Sequence, residues 1–299
     1  MPRRRSKLWY VTVTAGAPRA RALAAALRRA RKKTPLSVRE LARQLGVSHA
    51  TVSQWETAKR VPDAESVATY LQAVGVTGDD REQILELARG AEDPSWLASG
   101  IPGASNGLAG VLECERTTTE MVEWCPLVVP GLLQTHEYAE AILEYDQALS
   151  EAEVDGLVRT RIDRRKVLTD ARDDGLGPAE YKALIGEYAL RERVGGKRVL
   201  INQLRQLLEF ANLPTITLRI VRSGGDWHPG LAGPFILYNF AESPSIVHLE
   251  HLKASAFLYD ESDITAYKVA SSVIRRRAMN PDESIEYIAE VIKELERSE

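Results

Sequence analysis

Apolar positions in the first ninety residues recur every three to four places. Leu23, Ala26, Leu27 and Ala30 share one face, and Arg21, Arg28, Arg29, Arg31, Lys32 and Lys33 supply the other. That pattern predicts an amphipathic helix starting at Pro18. Ser37-Val38-Arg39-Glu40 has the spacing of a capping box and opens a second helix, which Gly46 stops. Ser48 is placed to cap a third. Pro62 ends the next connection; Val67, Tyr70, Leu71 and Val74 mark a fourth helix. Asp79 begins a fifth, with Ile84, Leu85 and Ala88 on its apolar side. Ahead of these lie a basic run, Pro2 to Lys7, and a stretch of strand propensity, Leu8 to Val13.

Residues 93–110 hold two prolines, four glycines and three serines and read as a linker. Helical patterns follow at 108–118, 135–145, 150–170 and 197–211. Strand-like runs occupy 215–221, 234–240 and 245–252. Two helices, about 262–278 and 282–297, come last. Strands bracketed by helices suggest an α+β or three-layer domain, and no internal repeat is visible. The expected organisation is multi-domain: a basic arm (1–17), an all-α five-helix domain (18–92), the linker, and an α+β domain (111–299).

The formal net charge of −3 over 299 residues hides an asymmetry. Residues 1–62 carry 15 Lys and Arg against two acids, Glu40 and Glu56, while the remainder carries 24 basic and 40 acidic side chains. The first fifth of the chain is built to meet a polyanion and the rest is not. With 44% hydrophobic and 27% charged residues the chain can bury a core unaided. Cys114 and Cys125 alone make neither a disulfide framework nor a Cys-rich zinc site. The stretch from Leu8 to Pro18 is far short of the ~20 apolar residues that span a bilayer. No apolar segment with a small-residue cleavage site follows the basic start, so no secretory leader is expected. These features predict a cytoplasmic protein with no membrane association, cofactor or metal.

The densest signal lies between Val38 and Thr57. Small Ala42, then Gly46 four residues on, then Val52 six further on, are placed as a helix-turn-helix requires. Ala42 allows close helix approach and Gly46 permits the turn's backbone angles. Leu41, Leu45, Val47, Val52 and Trp55 form the shared core. Leu41-Ala42-Arg43-Gln44-Leu45-Gly46-Val47-Ser48 followed by Thr51-Val52-Ser53-Gln54-Trp55-Glu56 resembles the XRE/Cro-type helix-turn-helix family of transcriptional regulators, with its usual Glu and Pro at Glu56 and Pro62. The resemblance implies a lambda-repressor-like five-helix domain. The sequence departs from the family at Ala58, where Gly is usual, so the third helix is expected to end differently or run one residue longer. It also departs at Val38, where Gln is usual. Docked in a major groove, the third helix would turn His49, Ala50, Thr51 and Gln54 outward. Gln54 can pair with adenine and Thr51 can offer hydroxyl or methyl. Ser48 at the helix start suits a phosphate oxygen. Arg39, Arg43, Lys59 and Arg60 are placed to neutralise the backbone.

A second resemblance covers the later part. Val129-Pro130-Gly131-Leu132-Leu133-Gln134-Thr135 with Tyr138-Ala139 is similar to the C-terminal domain of actinobacterial WhiJ-like regulators. Arg161, Arg164-Arg165, Glu187, Leu190-Arg191, Val194-Gly195-Gly196, Gln203-Leu204 and His228-Pro229-Gly230 agree in order. It implies a regulator, often encoded beside a small partner protein. Pro130-Gly131 reads as a turn that delivers Leu132-Leu133 into a core, with Thr135 capping the next helix. Trp227 and His228 sit in a loop that could face a ligand or partner. The expectation is therefore a non-enzymatic regulator that binds double-stranded DNA as a homodimer, its acidic domain sensing a ligand or partner protein or mediating dimerisation. One alternative is an antitoxin-like protein whose main work is binding a small partner. Another is a phosphodiesterase-like enzyme using His251 and Lys253, but the following acid, Asp260, has the wrong spacing. His248 and Glu250 share a strand face from which His251 points away, poor geometry for a metal.

Overall fold

The computed structural model describes residues 18–91, 97–99, 106–145, 149–170, 177–241, 244–251 and 254–297. The basic arm and most of the span read as a linker lie outside them. Residues 106–110, the last of that span, are already helical. The chain divides into two units at Ala98–Ser99.

The first unit holds the five expected helices: α1 (Pro18–Lys32), α2 (Val38–Leu45), α3 (His49–Glu56), α4 (Ala64–Ala73) and α5 (Gly78–Ala91). The capping box forms as its spacing predicts. Ser37 Oγ accepts from the Glu40 amide at 3.2 Å, and the Ser37 amide donates to Glu40 Oε2 at 2.9 Å. The core gathers Leu23 and Leu27 of α1, Leu41 of α2, Val52 and Trp55 of α3, and Tyr70 and Leu71 of α4.

A short strand, β1 (Leu97–Ser99), straddles the boundary. The second unit continues with α6 (Asn106–Thr117), β2 (Glu120–Cys125), α7 (His136–Leu143), α8 (Glu151–Arg164), β3 (Glu180–Gly186), α9 (Lys197–Phe210) and β4 (Ile216–Val221). It closes with β5 (Phe235–Asn239), β6 (Ile246–His251), β7 (Ala254–Leu258), α10 (Glu261–Arg277) and α11 (Pro281–Arg297). Strands β2 to β7 form one mixed sheet in the order β7-β6-β5-β2-β3-β4. Strands β2, β3 and β4 run parallel, and β5, β6 and β7 extend the sheet antiparallel.

Two features correct the sequence reading. The polar pattern marks only β4, β5 and β6. Strands β2 and β3, at the centre, are covered on both faces and so lack clean alternation. Strand β7 also went unmarked. The helix expected over 150–170 ends at Arg164 and passes into a 3-10 turn at Arg165–Leu168.

Each face of the sheet carries helices. Met121, Tyr181, Ala183, Leu218 and Tyr238 share one cluster with Leu200 and Leu204 of α9, Ile288 and Val291 of α11, and Cys114 of α6. Val122, Trp124, Leu184, Phe235 and Val247 lie under α10, through Ile264 and Ile274. The expected α+β domain is thus a three-layer one.

The first of these faces is not wholly apolar. Glu123 and Cys125 of β2 point into it; the Tyr181 hydroxyl donates to the Glu123 carboxylate, and Cys125 Sγ lies 3.1 Å from its Oε1. Burial raises the Glu123 pKa. The end of α8 brings arginines to the same region. Arg164 clasps Glu115 of α6 at 2.6 and 3.0 Å. Arg165 donates to the Leu132 carbonyl at 3.1 Å and to that of Gln134. Gln203 of α9 donates to the Leu133 carbonyl at 2.8 Å and accepts from the Thr135 amide at 2.7 Å. The turn that buries Leu132 and Leu133 is therefore tied down by residues up to 70 positions away. Thr135 caps α7 through the Tyr138 amide.

His248 of β6 is buried in this layer and stacks on Phe257 of β7 at 4.5 Å. Burial pulls its pKa down to about 4; Glu250 opposes that and Arg164 adds to it. A base held neutral in the core but free to charge when unfolded stabilises the fold above about pH 6.5. That contribution, at most about 3 kcal/mol, is lost as pH falls from 6.5 toward 4. His248→Phe should remove it. Urea unfolding at pH 7 and pH 4.5 should show a gap about 2–3 kcal/mol smaller in the variant; an unchanged gap refutes the assignment.

Candidate nucleic-acid interface

The turn between α2 and α3 needs a left-handed residue, and Gly46 supplies it at φ 67°. A Cβ there would meet nothing within 4 Å, so the requirement is the backbone angle alone. The Val47 amide then returns to the Ala42 carbonyl at 3.0 Å. Ser48 starts α3: its Oγ accepts from the Thr51 amide at 3.0 Å and lies 2.8 Å from Thr51 Oγ1. The Thr51 hydroxyl is thereby engaged within the cap, and the residue is half-buried.

Along α3, Val52 and Trp55 turn into the core, while His49, Ala50 and Gln54 are exposed. Arg39 and Arg43 of α2 are exposed, as are Ser48, Lys59 and Arg60. The Lys59 and Arg60 amides both reach the Gln54 carbonyl, at 3.0 and 3.3 Å, which folds that basic pair back onto the end of α3. The interface residues named from the sequence thus lie on α2, the turn before α3, α3 and the segment that follows it.

Sequence reasoning missed what aims this helix. Glu56, the last residue of α3, is buried and receives Arg31 of α1 in a two-point contact, Nε to Oε1 and Nη2 to Oε2, each 2.7 Å. The Tyr70 hydroxyl of α4 lies 2.6 Å from Glu56 Oε1 and 3.0 Å from the Leu27 carbonyl. Hydrogen bonding to Glu56 raises the Arg31 pKa, and burial, then Glu56, raises that of Tyr70. One signal was available: of two acids in a strongly basic segment, Glu40 has a local capping role and Glu56 has none.

Of the two outcomes expected at Ala58, a different end or a longer helix, the longer helix does not occur. Helix α3 stops at Glu56, and Ala58 takes the left-handed conformation itself, at φ 54°. Its methyl packs against Ala20 and Ala24.

The other singled-out residues do not form a site together. Trp227 is 74% exposed. His228 turns inward, accepts the Gly230 amide on Nδ1 at 3.2 Å and meets Trp124 edge-on, while Trp124 Nε1 donates to the Gly230 carbonyl at 2.8 Å. His251 and Glu250 are exposed while His248 is buried, and Lys253 lies outside the described residues. Among the described residues no group of three His, Cys, Asp or Glu could hold a metal ion. None of the helices described is long and apolar enough to cross a membrane.

Removing one partner of a buried ion pair leaves a charge stranded, so Glu56→Ala should destabilise the first unit by about 3–5 kcal/mol. Ala58→Gly should be nearly neutral. Relief of the left-handed strain, about 1–2 kcal/mol, offsets a lost methyl of about 0.8 kcal/mol and about 0.5–1 kcal/mol of chain freedom. Ala58→Val should destabilise. Hydrogen exchange of α1–α4 amides in the full chain reads all three; a Glu56→Ala protein with wild-type protection contradicts the latch.

Residues 108–290 match a family described as a domain of unknown function (DUF5753), and residues 22–84 match a helix-turn-helix domain. Two solved structures align with the chain. One is the clp gene regulator ClgR from C. glutamicum, 31% identical, over 25% of this chain and 91% of that one, with a TM-score of 0.21. The other is TrmBL2, an archaeal chromatin protein, 13% identical, over 88% of this chain and 92% of that one, with a TM-score of 0.29. No curated protein matches the chain.

Proposed function

We propose that this chain, which belongs to the DUF5753 family and carries a helix-turn-helix domain ahead of that family's domain, is a sequence-specific DNA-binding transcriptional regulator. The observation that carries the reading is the outer surface of α3. It presents His49, Ala50 and Gln54 to solvent, with exposed Arg39 and Arg43 on the preceding helix and exposed Lys59 and Arg60 on the segment that follows. A helix so presented fits the major groove with its first turns on base edges. The flanking guanidinium and ammonium groups suit the phosphates. Gln54 offers the paired donor and acceptor that adenine N7 and N6 require, and the Thr51 methyl suits thymine. One such helix reads few base pairs, so the reading includes a homodimer on an inverted repeat. The DUF5753 domain acts as the regulatory part, and the chain as a binding protein rather than an enzyme.

The test compares the purified protein on its own upstream DNA and on a scrambled fragment across a salt series. A specific regulator should prefer the upstream fragment by about a thousandfold or more. Gln54→Ala should cost about 1–3 kcal/mol and relax preference at one base position. Arg43→Ala should weaken all sequences alike and lower the salt slope by about 1. Equal affinity for both fragments, or a Gln54→Ala protein with unaltered preference, would defeat the reading.

A further inference from the structure

One end of the sheet in the second unit is apolar and uncovered. Eight large hydrophobic side chains are exposed among the described residues. Five of them, Leu127, Val128, Tyr188, Trp227 and Leu231, lie past the C-terminal ends of the parallel strands β2, β3 and β4. Sheet order makes them neighbours. Strand β4 is at the edge and β5 lies on the far side of β2, so residues 222–234 cross the ends of β3 and β2. Trp227 and Leu231 ride on that crossing. Leu127 and Val128 follow β2, and Tyr188 stands in the 3-10 turn Glu187–Leu190 that follows β3. Single exposed apolar side chains need no account, but a group gathered in one place marks an interaction site.

The surface is preformed. Ser223 donates to Glu187 Oε2 from its amide at 3.0 Å and from its hydroxyl at 2.9 Å, which ties the crossing to the end of β3. Trp124 Nε1 donates to the Gly230 carbonyl at 2.8 Å, which ties it to β2. Arg277 of α10 donates to the Asp226 and Trp227 carbonyls at 3.0 and 3.4 Å. The backbone of the crossing is thus fastened at three places while the Trp227 indole stays in water. A tryptophan so placed brings apolar area to a contact at little ordering cost.

The charges around it define what the patch suits. Arg222 and Asp226 of the crossing, and Glu192 and Arg193 after Tyr188, are exposed and form no ion pair among the described residues. Arg222 is held over the Tyr287 ring, 5.2 Å from its centroid, which positions its charge without neutralising it. An acidic partner or a nucleic acid calls for a surplus of one sign. Two charges of each sign suit a surface that faces its own copy, where residue i meets j and j meets i. We propose that this end of the sheet, centred on Trp227, is the surface through which two copies of the chain associate about a two-fold axis, Arg222 of each copy facing Asp226 of the other. That the pair then sets two α3 helices on an inverted repeat rests on the regulator reading above; the contact itself does not.

The experiment is sedimentation velocity of the full-length protein without DNA over a concentration series. The wild type should pass from monomer to dimer as concentration rises. Trp227→Ala should weaken the dimer about tenfold or more and keep the far-ultraviolet circular dichroism of the wild type, since the indole lies outside the fold. Arg222→Asp and Asp226→Arg should each weaken it about tenfold. An equimolar mixture of those two variants should restore it, because every facing pair is then of opposite sign. A wild type that stays monomeric throughout overturns the proposal, as it leaves the patch to the first unit or to another protein. So does a dimer that Trp227→Ala leaves as tight, or a mixture that associates no better than either variant alone. Parallel titration with the upstream DNA separates the two readings. A monomer that prefers the upstream fragment sinks this surface alone, and a dimer with the expected variant effects but no DNA preference sinks the regulator alone.

Discussion

Glu56 and Arg31 are joined at two points inside the first unit, and the rest of that unit takes its orientation from the pair. A charge drawn out of water must find its counter-charge where it lands, because solvent no longer supplies one. The contact fixes the last turn of α3 against α1, and Tyr70 adds α4 to the same junction. The outward face of α3 is then set by a contact buried on its inner side. The same constraint orders the second unit, where Arg164 meets Glu115 and joins α8 to α6. In both places a polar contact does what apolar packing alone does poorly: it accepts only one relative placement of the elements it joins.

Much of the first unit was legible because its signals are local. Ser37 with Glu40, Gly46 and Ser48 act within four residues of themselves, and each performs in the structure the task its spacing implies. The role of Glu56 was not legible, since its partners are 25 and 14 residues away and no local rule connects them. The second unit was harder for the same reason. After their first residues, Glu120 and Glu180, strands β2 and β3 carry Glu123 and Lys182 within apolar runs, and burial on both faces of the sheet explains why such segments are strands. The sequence places Arg161, Arg164 and Arg165 along one helical stretch without saying what they meet. All three turn inward, onto a carboxylate, an amide and two carbonyls.

The motif from Val129 to Thr135 illustrates how a linear pattern can stand for a three-dimensional one. Its turn is short and gives up its carbonyls to residues from other elements: Arg165 takes those of Leu132 and Gln134, and Gln203 takes that of Leu133. Pieces scattered through the sequence form one contiguous joint between α7, α8 and α9. The His228 loop is a second such joint, since a Cβ at Gly230 would come within 2.8 Å of Trp124 Nε1. That loop is fastened by its inward imidazole while Trp227 is left outside.

Ala58 sits in a conformation its own side chain disfavours, held there by the alanines of α1 across from it. A glycine at that place would end α3 in a peptide as readily as in the protein. An alanine ends it only once α1 has docked. Termination of α3 is thus a cooperative property rather than a local one. In the unfolded chain Pro62 sets only an outer limit to α3, and its stop at Glu56 becomes defined in the same event that assembles the bundle around it.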